Sequence, residues 1–231
     1  MRKGTLNRVG ALLAIALGVG SRTASADTIN IVSNAAESTA KLAAFTGSVS
    51  YTYSGGVGDL QISLTNTTSP AYQGLNITGF VFNTIDLDSN YVLSNFTQGP
   101  VDFGFQSLSG GGLLASPYGT FEYGAAIGGK WLGGGSPTDG IKIGETGIFD
   151  YRVTGSGAAD ATAMTFLTEG GHSAGQDYTG QFFVVRFRGN NSDKEPVFVD
   201  IPDDIPGTPL PTAAWGGLGL LGLSMARRSR N

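Results

Sequence analysis

The sequence contains no cysteine and one histidine, His172, among its 231 residues. Without cysteine there can be no disulfide, no thiolate nucleophile and no cysteine-based metal site. One histidine without cysteine cannot build a zinc centre of the usual His and Cys type. There is also no Gly-x-Ser-x-Gly elbow to make His172, in Gly170-Gly171-His172-Ser173, the base of a serine relay, so it reads as a loop residue. Charge is scarce too, at 14% of residues. All 18 acidic residues lie between Asp27 and Asp204, whereas seven of the 14 basic ones (Arg2, Lys3, Arg8, Arg22, Arg227, Arg228 and Arg230) lie outside that span. Residues 27–204 therefore carry 7 basic against 18 acidic groups, a formal charge of −11. Such a body has no basic surface with which to bind nucleic acid through its phosphates.

Long apolar runs are also missing. Val9–Val19 has 11 residues and Thr212–Ala226 has 15, both short of the ~20 that span a bilayer core unaided. Their flanks mark both as targeting segments. Arg2, Lys3 and Arg8 precede the first run and Ala24-Ser25-Ala26 follows it. Positive n-region, short h-region and a small-residue cleavage site, with Ala24 and Ala26 as its alanines, predict a signal peptide cut after Ala26, leaving Asp27 as the first mature residue. Pro209-Leu210-Pro211 precedes the second run, and Arg227, Arg228 and Arg230 follow it. The prolines keep the chain extended ahead of a membrane-seeking segment, and the arginines anchor its end on the cytoplasmic side. Gly216, Gly217, Gly219 and Gly222 argue against an ordinary buried helix there.

This C-terminal order of Pro-Leu-Pro, apolar stretch and arginine cluster resembles the PEP-CTERM sorting signal of Gram-negative bacteria in its Pro-Leu-Pro variant. Leu210 stands where that family usually has glutamate. The resemblance implies export, a transient inner-membrane anchor, processing by an exosortase, and a place at the cell surface or in an extracellular polysaccharide or biofilm matrix. Phe182–Glu195 and Gly144–Tyr151 are also similar to ectodomain segments of such proteins. The implied organisation is a signal peptide (1–26), an ectodomain (27–200), an acidic proline-bearing linker (201–208) and the sorting signal (209–231).

The middle of the chain reads as strands and turns. Leu60, Ile62 and Leu64 alternate with Asp59, Gln61, Ser63 and Thr65, the period-2 pattern of a half-buried strand. Phe45, Val49, Tyr51 and Tyr53 share a face of the segment before it, and Ser54–Gly58 between them predicts a hairpin. Further strands are predicted over 76–83, 91–97, 101–107, 120–123, 148–154, 162–168 and 181–188, with Val197–Val199 as an edge strand and 34–42 as the one helical candidate. The 37 glycines cluster between these segments, where turns need φ > 0. The pattern predicts an all-β antiparallel sandwich, jelly-roll-like.

Chemical motifs are few. Gly124–Lys130 fits seven positions of a phosphate-binding loop, but Trp131 occupies the Ser/Thr position and glycines follow it, so it reads as a glycine-rich surface loop. Asp86-Leu87-Asp88-Ser89-Asn90 opens like a calcium loop, yet Tyr91 and Thr97 hold the positions that need glycine and glutamate. An Asx-type turn accounts for it, and no cofactor or metal is assigned. Asn66, Asn76 and Asn95 begin Asn-x-Thr triplets and read as β-prone residues only. Among aromatics near turns, Tyr72, Tyr118, Phe121, Tyr123 and Trp131, packing accounts for Phe121 and Tyr123. Trp131, in a glycine loop, is the candidate for stacking on a sugar ring. The expected function is that of a non-enzymatic surface or matrix protein. A carbohydrate-binding module or adhesin competes, and would show exposed aromatics or a calcium-bridged loop. So does a secreted polysaccharide hydrolase, which would show two carboxylates converging in a cleft.

Overall fold

A computed structural model describes residues 26–84, 90–110, 112–167 and 182–189, and the backbone of 192–200. Twelve strands are described: β1 (Asp27–Ser33), β2 (Phe45–Ser54), β3 (Val57–Asn66), β4 (Asn76–Phe82), β5 (Val92–Gly99), β6 (Phe105–Leu108), β7 (Leu113–Leu114), β8 (Thr120–Phe121), β9 (Tyr123–Ile127), β10 (Thr146–Thr154), β11 (Phe183–Arg188) and β12 (Ser192–Asp200). The only helical pieces among the described residues are 3-10 turns at Pro70–Tyr72, Pro137–Asp139 and Ala163–Phe166. None is long and apolar enough to cross a membrane. Among the described residues the fold is all-β, and every pairing between strands is antiparallel.

Ten strands form one ladder, in the order β5-β10-β3-β2-β1-β12-β11-β4-β9-β6. It folds over on itself at β12. Residues 197–200 of that strand pair with β1, while residues 192–196 pair with β11. Pro196, which has no N–H to give a ladder, stands at the changeover. The two halves then face each other across an aromatic core. Phe149 of β10 meets Phe80 of β4 and Phe105 of β6, each at 4.8 Å between ring centroids. Phe80 and Phe183 stack at 5.7 Å within their own layer. Tyr151 of β10 donates its hydroxyl across the core to the Gly124 carbonyl at 2.8 Å.

The free edges of the ladder, β5 and β6, also meet. Gln98 of β5 donates to the Phe105 carbonyl at 3.3 Å and accepts from the N–H groups of Phe103 and Phe105 at 3.2 and 3.3 Å. One side chain thus supplies the hydrogen bonds that a strand pair would have made, which protects an edge otherwise open to pairing.

The alternation in β3 is as expected: Leu60, Ile62 and Leu64 are fully buried. Only Gly55 and Gly56 separate β2 from β3, and both have positive φ (59° and 87°), as the two-residue turn of a twisted hairpin requires. Several expectations are corrected. Residues 34–42 form turns rather than a helix, because Ser38 and Asn34 bond locally to the backbone N–H groups of Lys41 and Ala36. Val101 lies in a loop ahead of β6, and 163–166 is a 3-10 turn, not a strand. β12 is longer than the expected edge strand and is paired on both sides.

Gly124–Ile127 belongs to β9 and is not a surface loop. Gly124 packs so closely on β4 that an added Cβ would lie 2.2 Å from the Phe80 carbonyl oxygen. Only Gly128 and Gly129 make the turn that follows. A second apolar cluster, including Val81, Phe121, Trp131 and Val184, lies under the β7–β8 hairpin.

Candidate functional site

The direction of the strands gives the sandwich two distinct poles. β1 runs from Asp27 to Ser33, and antiparallel β12 passes Ser33 at Val197 and reaches Asn30 at Asp200. The chain therefore enters and leaves in neighbouring strands at the same pole. The connections 34–44, 67–75, 100–104 and 128–145 lie at the opposite pole.

Buried amides fix the loops of that far pole. Asn66, at the end of β3, is fully buried. It donates to the carbonyls of Leu75 and Ile141 at 2.9 and 3.0 Å and accepts from the Thr68 N–H at 3.1 Å. Ile77 and Ile141 exchange backbone bonds, each 3.0 Å. Asn76 donates to the Pro137 carbonyl at 3.0 Å. These contacts hold 137–145 against β4, since buried carbonyls without such partners would be costly. The turn at Lys142–Glu145 is closed by its own side chain: the Glu145 carboxylate accepts from the Lys142 N–H at 3.0 Å. Across from it, Asp102 accepts from Gln98 at 2.6 Å and from the Gly104 N–H at 2.8 Å.

Between these loops lie two adjoining clefts. The larger, about 460 Å³, is lined by residues including Val101, Asp102, Thr138, Asp139, Lys142 and Glu145. The smaller, about 280 Å³, is lined by Gln73, Gly74, Asn76 and Ile143, and shares Thr138 and Lys142 with the first. Asp102, Asp139 and Glu145 are all exposed. A general acid for glycoside hydrolysis is made by burying a carboxyl away from water, and none of the three is buried. Among the described residues, no group of three or more His, Cys, Asp or Glu side chains is placed to hold a metal ion.

Trp131 is not an exposed platform. It is 5% exposed and packs in the second cluster, with the Arg186 guanidinium 5.8 Å from its ring centroid. Arg186 donates to the Trp131 carbonyl, and Arg188 to the carbonyls of Gly134 and Gly135. Two arginines of β11 thereby staple the glycine loop down and turn the indole inward. Burial, followed by the neighbouring Arg188 charge, lowers the Arg186 pKa to about 10, so it stays charged near neutral pH.

Tyr118 and Phe121 are buried and Tyr123 is half-buried, whereas Tyr72, at the end of the Pro70–Tyr72 turn, is 39% exposed. Ala26 is exposed just ahead of β1. Ala24, Pro209, Leu210, Pro211, Arg227, Arg228 and Arg230 lie outside the described residues, as do Asp86, Asp88 and His172. Lys142, Asp139 and Asp102 were not marked by the sequence patterns. The one local signal is Ser136-Pro137-Thr138-Asp139-Gly140, a cluster of turn residues. Comparison with family models, curated proteins and solved structures returned no match for this chain.

Proposed function

We propose that the chain is an exported, exosortase-sorted protein of the PEP-CTERM type, held transiently in the inner membrane and then placed at the cell surface or in an extracellular matrix. The observation that carries this reading is the C-terminal succession of Pro209-Leu210-Pro211, a 15-residue apolar stretch and Arg227, Arg228 and Arg230. The leader ending at Ala26 supports it from the other end of the sequence. Its body is a non-enzymatic sandwich of jelly-roll-like type, a finer description supported by the crossing of successive strands between layers: β3 to β4, β4 to β5, β5 to β6, β9 to β10 and β10 to β11. Its partners are the exosortase and, in the matrix, extracellular polysaccharide.

Replacing both motif prolines, Pro209→Ala with Pro211→Ala, tests the reading. The double variant is expected to stay uncut in the inner-membrane fraction while the unchanged chain is released. Equal release of both would refute it. A second reading, carbohydrate binding, is favoured by the polar clefts around Lys142 and not by Trp131, which is buried.

A further inference from the structure

We propose that the pole opposite Asp27 and Asp200 carries a binding site for a neutral, hydroxyl-rich ligand of the saccharide class, centred on Thr138 and Lys142. The two clefts meet at these residues. Their combined lining brings donors and acceptors together in Thr138, Lys142 and Asp139, and in Asp102 and Glu145, whose carboxylates already accept backbone N–H groups and keep further lone pairs. Carboxylate oxygens accept from vicinal hydroxyls, and an ammonium donates to hydroxyl or ring oxygens.

Charge narrows the ligand class. Three carboxylates against one lysine repel an anion, and no described cluster is arranged to take a metal. Neutral hydroxyls satisfy such groups without bringing charge. Apolar surface is also available, since Val101 is 52% exposed at the larger cleft and Ile143 lines the smaller. The C–H faces of a pyranose can pack against such surface. The framework is preorganised by Asn66, Asn76 and Gln98, so little ordering is left to oppose binding. Finally, Asp27 and Asp200 lie at the other pole, so a chain held through a tail that follows Asp200 presents this one outward. The matrix reading bears only on where the saccharide comes from.

The test is titration calorimetry on the whole chain in a detergent without sugar headgroups. The probes are neutral oligosaccharides of glucose, mannose, galactose and N-acetylglucosamine, with polygalacturonate as the anionic probe. Saturable binding of at least one neutral probe is expected, weakened by about tenfold or more in Asp139→Ala with Lys142→Ala. Both side chains are exposed, so the fold should tolerate the change. Thr138→Val, which keeps the side-chain volume, should weaken the same binding. Gln61→Ala, on the outer face of β3, should leave it unchanged. No neutral binding at millimolar concentrations, binding to polygalacturonate alone, or neutral binding indifferent to the double variant would overturn the proposal. Such a failure leaves cleavage at Pro209–Pro211 untouched, and the proline variants read that separately.

Discussion

Tyr51 lies 2% exposed in the core and donates its hydroxyl to the Ala158 carbonyl at 2.5 Å. Burial, helped by Tyr53, Tyr91 and Asp59, raises its pKa from the usual 10 to about 12. Burial also pushes Tyr151 well above the usual value. Below pH 10 both folded and unfolded chains hold the Tyr51 proton. Above it the unfolded chain ionises first, so stability falls as pH rises from about 10 to 12, by about 2 kcal/mol for Tyr51 alone. Circular dichroism with tyrosinate absorbance should show unfolding and ionisation together in that window; free titration of all tyrosines near pH 10 in a still-folded chain would contradict it. Ile62 gives the second residue-scale prediction. Ile62→Ala should cost about 2–5 kcal/mol through the cavity it leaves, and Gln61→Ala, on the solvent side, no more than about 0.5 kcal/mol. Urea melts of the two variants check this, and equal losses would refute the register. The register of Ile62 was legible because a strand with one wet face writes its period into the sequence. Asn66 was not, because the carbonyls it binds lie 9 and 75 residues along the chain and nothing local marks them.

At the scale of elements, the β2–β3 hairpin was legible for the same reason: its alternation and its Gly55-Gly56 turn are both local. β12 was not. Its polar start and Pro196 resemble a turn, and only pairing with β1, more than 160 residues earlier, makes a strand of it. β9 was hidden by composition, since glycine and alanine carry little β-propensity. Its glycine is instead a packing requirement of β4. Gly124→Ala must displace backbone at the Phe80 carbonyl, and should cost about 1–3 kcal/mol in a thermal or urea melt. A neutral outcome would mean that β4 and β9 can separate without loss. The burial of Trp131 was equally illegible, because a tryptophan between glycines looks like a loop residue until two arginines from another strand pin the loop.

At the scale of the whole molecule, one ladder closes over an aromatic core and leaves Asp27 and Asp200 at one pole and the polar clefts at the other. Fold class was legible from strand periodicity, whereas the clefts were not, because they form where four connections from distant parts of the sequence meet. The proposed targeting signals are legible only as sequence, being short runs with charged flanks. The central claim is that these signals bring the chain out and are removed. Intact-mass measurement of the chain recovered outside the cell tests it most directly. The account predicts a form that begins at Asp27 and lacks Thr212–Asn231; recovery outside the cell of chains still ending in Arg227–Asn231 would contradict it.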